Sequence, residues 1–237
     1  MNTMTVRLAR WSGMALFISL AACQQAPQPR QAAVNDSSAA ARPRNGAVKA
    51  AIEPFEMITE QAFSASPAEL RTMIARAQTS YRAAKPALTS EQRMAADAQL
   101  KSLTAAEGNA SRMATALASN ELFRQLLEAQ QRPQDPAVIA GLLDYAGFRY
   151  QALVQADQVD WQELLRTAMF ARGEWRRLSP LIDDPALRDR FGASVDALAK
   201  GAVVRDRASA LKAATSELEL VDLLEKNLES AQRRSAT

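Results

Sequence analysis

Few side chains in this sequence are equipped for chemistry, and their types narrow what that chemistry is. The 237 residues include no histidine and a single cysteine, Cys23. A Ser-His-Asp triad, a Cys-His dyad and a zinc site built on histidine are therefore excluded. So are an internal disulfide, a CxxC redox pair and a CxxCH haem attachment. No glycine-rich phosphate loop, GxSxG elbow or HExxH segment occurs. Acids pair at Asp157/Asp160 and at Asp183/Asp184. Both pairs sit where helices are expected to begin, and there carboxylates cap backbone amides. A calcium loop would need more oxygen ligands at regular spacing and usually a glycine. The remaining candidates are two arginines, Arg112 and Arg207, and aromatics of the second half, among them Tyr145, Phe148, Trp161 and Trp175. Core packing accounts for the aromatics and a solvated helix face for the arginines. The competing reading gathers the six into a pocket for a small apolar or anionic ligand.

The elements that carry these residues read as helices. Ser66-Pro67-Ala68-Glu69 combines an N-cap, a proline in the first turn and a capping-box acid. Asp135-Pro136 and Asp184-Pro185 repeat the cap and proline, and Asp160-Trp161-Gln162-Glu163 is an acidic capping box. Thr89-Ser90 opens another helix. The pattern predicts helices over 54–64, 67–85, 90–131, 136–156, 161–178 and 185–231. Both long helices weaken centrally, at Glu107-Gly108-Asn109 and from Gly201 to Arg205-Asp206-Arg207, where gentle kinks are expected. No segment alternates with period two, so the fold class is all-α.

The chain also resembles itself. A shift of 94 residues lays Ser66-Pro67-Ala68-Glu69-Leu70 on Asp160-Trp161-Gln162-Glu163-Leu164, Tyr81 on Trp175, and Pro86 on Pro180. Arg112 falls on Arg207 at a shift of 95. Glu69 and Glu163 correspond, and capping explains both. These matches predict an internally duplicated helical-hairpin unit, with repeat 1 at about 48–131 and repeat 2 at about 137–231. The two copies are expected to pack like a four-helix bundle with the short helices at one end.

The first residues belong to a different category. Arg7 and Arg10 precede a short apolar run, Met14 to Ala22, which ends in Leu20-Ala21-Ala22-Cys23. This tetrad resembles the lipobox of bacterial lipoproteins. The resemblance implies a signal peptide over 1–22, cleavage before Cys23 and acylation of that cysteine. Two or three acyl chains anchor stably where one does not. Gln24 stands where aspartate commonly signals inner-membrane retention, which by the same resemblance implies the outer membrane in a Gram-negative host. Residues 23–50 then form a tether rich in Gln, Pro, Ser and Ala, expected to be disordered. The folded domain is expected over 51–237.

Charge follows the same division. The whole chain carries +3. Arg7 and Arg10 leave with the signal, and 24–50 hold a net +3, so 51–237 carry −2. No nucleic-acid partner is expected of such a domain.

Together these features lead us to expect a non-catalytic binding or scaffolding module without a cofactor or metal. It is held at the envelope by a lipid, faces the periplasm and meets an envelope protein partner. The alternative is a helical carrier or sensor with a small apolar or anionic ligand between the repeats. A third reading is an envelope enzyme without histidine. Imelysin-like periplasmic lipoproteins are similar in being duplicated helical bundles, but their histidine-containing metal motif is absent here.

Overall fold

A computed structural model describes residues 37–130 and 134–235, and for 37–45 only the backbone path. The proposed signal peptide, Leu20 to Cys23 and the first part of the tether lie outside the described residues. Eight α-helices and no strand occur among those described. They are α1 (Ser37–Gln61), α2 (Pro67–Ala84), α3 (Ser90–Gly108), α4 (Arg112–Ala129), α5 (Pro136–Val154), α6 (Trp161–Leu178), α7 (Pro185–Val204) and α8 (Arg207–Ser235). Short 3-10 turns, Lys85–Ala87 and Ser179–Leu181, follow α2 and α6. The all-α bundle expected from the sequence is present. Helix α1 begins inside the stretch expected to be tether.

Helix starts follow the caps read from the sequence. Ser66 Oγ accepts from Glu69 N–H, and Glu69 Oε2 accepts from Ser66 N–H at 2.7 Å. Thr89 and Gln92 close the same reciprocal box. Asp135, Asp160 and Asp184 each accept from the first amides of their helices. Each such cap stabilises its helix by about 1 kcal/mol. Glu163 departs from its expected part. Its carboxylate goes to Arg149 on α5 at 2.7 Å and to Arg166, tying α5 to α6.

The two long helices expected over 90–131 and 185–231 are each broken in two. Ala110 takes a left-handed φ of 53°. Its N–H donates to Glu107 O, and Ser111 N–H donates back to Ala106 O. This pair of bonds is a Schellman ending for α3. Ser111 then caps α4 through Ala114 N–H. In the second half Arg205 takes φ 57° and donates to Gly201 O, and Asp206 opens α8 by accepting from Ser209 N–H. Gly108 is the last residue of α3. Gly201 lies inside α7, where a Cβ would stand 2.9 Å from Ala210 Cα. The glycine lets α7 and α8 approach, within a helix that runs from Pro185 to Val204.

Packing arranges the helices in two rows. Neighbouring inner helices run α1, α4, α5, α8, and α2, α3, α6 and α7 lie on them in turn. The buried residues that join the rows include Phe55, Leu122, Phe123, Leu143, Leu164 and Phe191, each removing apolar area worth about 1.5–3 kcal/mol from water. Along α8 the buried side chains are Ala210, Ala213, Ala214, Glu217, Leu220, Val221, Leu224 and Leu228, while Leu211 is exposed and Leu218 half-buried. From α2 to the start of α8 the helix starts, the two 3-10 turns and the two left-handed breaks fall 94 or 95 residues apart, whereas α1 and α5 begin 99 residues apart and differ in length.

Candidate functional site

The six residues proposed from the sequence do not share one site. Arg112 donates from Nη1 to Ala62 O at 2.8 Å and also to Ala65 O, just beyond α1. Arg207 donates from Nε to Val154 O at 2.8 Å and also to Ala156 O, at the end of α5. Each guanidinium thus satisfies carbonyls that a helix end leaves without partners. Arg112 also borders a small cavity of about 230 Å³ beside Gly108 and Arg71, but its donors are engaged with the backbone.

The aromatics serve the core at separate places. Trp175 stacks on Phe191 with ring centroids 4.5 Å apart. Tyr145 meets Phe170 edge to face at 5.6 Å, and the Arg124 guanidinium lies over the Tyr145 ring at 5.8 Å. Trp161 starts α6, partly buried against the core, and Phe148 is half-buried. Asp160 and Asp184 cap helices, while Asp157 and Asp183 are exposed beside them.

A larger concavity lies elsewhere, between the two halves of the chain. It is a half-open cleft of about 920 Å³ among α1, the end of α4, the start of α5 and α8. Ile52, Leu127, Val138 and Leu228 supply apolar wall. Glu53, Glu56, Glu225 and Glu229 supply carboxylates, and Asp135 lies at one edge, engaged as the α5 cap. Among the described residues lining the cleft, Lys49 is the basic one.

Acids continue from this cleft into the bundle. Glu56 lies beside Asp144, a buried residue of α5. Burial, then Glu225, Glu60 and Glu53, push the Glu56 carboxyl up to about 7. Asp144 is held well above the ordinary range by burial first, then by Glu56, Glu217, Glu225 and Asp222. Both directions favour the protonated carboxyl, as burial and like charge together require. Further along α8, Glu217 is fully buried, and neither carboxyl oxygen has a hydrogen-bond partner. Burial raises it strongly, so it is neutral in the fold. Gly147 makes the space: a Cβ there would fall 2.1 Å from Glu217 Oε2.

The surrounding interior is unusually polar for the centre of a bundle. Thr59, Thr115, Ser119 and Asn120 are buried on α1 and α4. Ser119 Oγ donates to Phe55 O at 2.7 Å, and Asn120 Nδ2 donates to Tyr145 O at 2.9 Å. Asn120 Oδ1 has no partner.

Sequence reasoning passed over Glu56, Asp144, Glu217 and Glu225. Two carried a signal. Asp144 is a lone acid inside Val138–Ala146, a run otherwise free of polar residues, and Glu217 falls between Ala213 and Leu220 on the buried stripe of α8. An ionisable side chain at a core position of an apolar stripe is rare enough to mark a site. Glu56 and Glu225 carry no such mark, because acids are common on helix surfaces.

Among the described residues no group of acids gathers as a metal-ligand set, and no helix is long and apolar enough to cross a membrane. Searches among protein families, curated proteins and solved structures gave no match for this chain.

Proposed function

We propose that this protein is a non-catalytic binding module, held at the outer membrane by a lipid on Cys23 and facing the periplasm. Its binding site is the cleft between α1, α4, α5 and α8. The cleft carries the reading, because it joins apolar walls to convergent carboxylates in a volume typical of small-molecule sites. Its position between the two halves favours the carrier or sensor form of a binding module. Of the small apolar or anionic ligand named in the alternative reading, the glutamates among the described lining residues favour the apolar one, since an anion would meet Glu53, Glu56, Glu225 and Glu229. The proposed duplication fits this arrangement: two related hairpin pairs meet at α4 and α5 and leave a cleft where α1 faces α8.

Two experiments test the two parts. Radiolabelled palmitate should enter the protein and sediment with membranes, and Cys23→Ser should abolish both. Equal labelling of the serine variant would remove the anchor. For the cleft, thermal unfolding of the mature chain is followed in buffer and in concentrated envelope extract. A ligand that binds only the folded state raises the midpoint. Ala50 is exposed on the cleft wall, so Ala50→Trp fills the space without disturbing the core. The extract should raise the midpoint of the natural chain and leave that of Ala50→Trp unchanged. An equal rise in both would place the site elsewhere.

A further inference from the structure

We propose that the seam between α5 and α8 is a proton-operated latch: Glu217 holds α8 on α5 while its carboxyl is protonated, and loss of that proton releases the helix. The inference stands apart from the cleft and needs no ligand. Geometry is its ground. Glu217 is 0% exposed, and neither carboxyl oxygen has a hydrogen-bond partner. Its neighbours one turn away on α8, Ala213, Ala214, Leu220 and Val221, are all apolar and buried. Across the seam its carboxyl lies against Gly147 of α5, where a Cβ would overlap Oε2. A neutral carboxyl is tolerated in such a place. A carboxylate without partners is far more costly there, and separation of the two helices relieves it by admitting water.

The charged and titratable groups around the seam offer Glu217 no counter-charge. On α5, Asp144 is buried one turn from Gly147, and Arg149 is paired with Glu163 of α6 at 2.7 Å. Tyr150, also on α5, donates its hydroxyl to Leu198 O of α7. On α7, Asp196 and Lys200 are exposed. On α8 itself, Lys212, Glu219 and Asp222 are exposed. Glu56 of α1 acts on Asp144, as do Glu217, Glu225 and Asp222, so the charges gathered at this level are acids. Basic residues occur early on α1, but Glu56 lies about 18 Å beyond Arg44 along that helix. Gly147 likewise lies about 16 Å beyond the start of α5, which Arg132 precedes. Burial raises the proton affinity of Glu217, the direction this arrangement requires.

Topology makes α8 the element that moves. It is the last helix, packs on α5 and α7, and joins α7 through Arg205, with φ 57°, and Asp206. Helix α5 keeps its packing on α4 and α6 when α8 leaves, and the Arg149–Glu163 pair still ties it to α6. The closed seam binds the Glu217 proton, and the open one gives it up at any pH above the ordinary carboxyl range. The open population therefore rises with pH, by about tenfold per pH unit for each proton released, until the closed seam also ionises. Asp144 is uncovered by the same movement and adds to the rise.

Hydrogen exchange of the full mature protein at pH 6, 7 and 8, read by mass spectrometry and divided by the intrinsic rate at each pH, tests this. The opening constant of α8 should rise with pH in the natural chain. Compared with Glu217→Gln, it should rise by an extra factor of about ten per pH unit, because the variant has no proton to release. Glu217→Met removes the buried polar group altogether and keeps the test available should the glutamine variant fold poorly. Helices α2 and α3, which pack on α1 and α4, should show a smaller dependence on pH than α8 and no change with either variant. Equal slopes for α8 in the natural chain and the variants overturn the proposal. So does a natural chain in which α2 and α3 open with the same slope as α8, since the whole fold and not the latch would then be titrating.

Discussion

Glu217 states the residue-scale problem in its plainest form. Its carboxyl is fully buried, neutral and without a partner, which leaves it uncompensated by hydrogen bonds. Replacing it by an apolar side chain of similar length should stabilise the fold. Glu217→Met is expected to raise unfolding stability by about 1–3 kcal/mol in urea titration. A loss of stability would show that the carboxyl is satisfied in a way this structure does not record. Glu56 makes a second prediction, through pH. Its folded-state value is raised from 4.5 to about 7, so between these limits the folded state binds more protons than the unfolded chain. Stability must then fall as pH rises from about 4.5 to about 7 and level off above. Asp144 and Glu217 are raised as well and extend the decline upward. Urea midpoints across this range should show the decline, and Glu56→Gln should remove the part that ends near pH 7. A stability that climbs over the same interval would contradict the assigned directions. The sequence announced Asp144 and Glu217 by placing acids in apolar stripes. It could not show that α1 brings Glu56 to the same place, because only tertiary packing joins α1 to α5.

At the scale of elements, helix starts were far more legible than helix ends. Ser66, Thr89, Asp135, Asp160 and Asp184 all cap as their types require, since an N-cap is written in one side chain and its neighbours three residues on. The breaks after α3 and α7 were masked. Glycine or asparagine normally takes the left-handed position at a helix end, and here Ala110 and Arg205 do so. Helix-favouring residue types ran through the break, and the pattern read as one kinked helix. Two consequences can be measured. Ala110→Gly and Arg205→Gly should each stabilise by about 0.5–1 kcal/mol, because glycine adopts this φ without a Cβ clash. Destabilisation by either, seen as a lower urea midpoint, would show that the turn is not left-handed. Arg112→Met and Arg207→Met should each cost about 1.5–3 kcal/mol by stripping charged donors from helix-end carbonyls. Near-neutral effects of both would return these arginines to the solvent face on which the sequence first placed them. Gly147 belongs here too: Gly147→Ala should be destabilising in the natural chain and much less so beside Glu217→Ala, which vacates the space.

For the whole molecule, the sequence led to an expected division into a leader, a basic tether and a mildly acidic helical domain. The −2 expected over 51–237 does not describe the helices as a whole, because α1 begins at Ser37 and brings in Arg42, Arg44 and Lys49, yet among the described residues acids gather where the halves meet. That concentration was not legible, because Glu53 and Glu56 lie some 170 residues from Glu225 and Glu229 and become neighbours only through the order α1, α4, α5, α8. The aromatic residues were conspicuous in the sequence for the opposite reason. Large rings attract notice wherever they fall, and here Trp175 and Tyr145 pack into the core at different points. Native mass spectrometry of the full protein, released gently from membranes, tests the central claim most directly. The account predicts a chain that begins at Cys23, carries diacylglycerol and acyl mass, and holds a small-molecule adduct that Ala50→Trp removes. An unprocessed chain that begins at Met1, or an adduct that persists with the cleft filled, would contradict it.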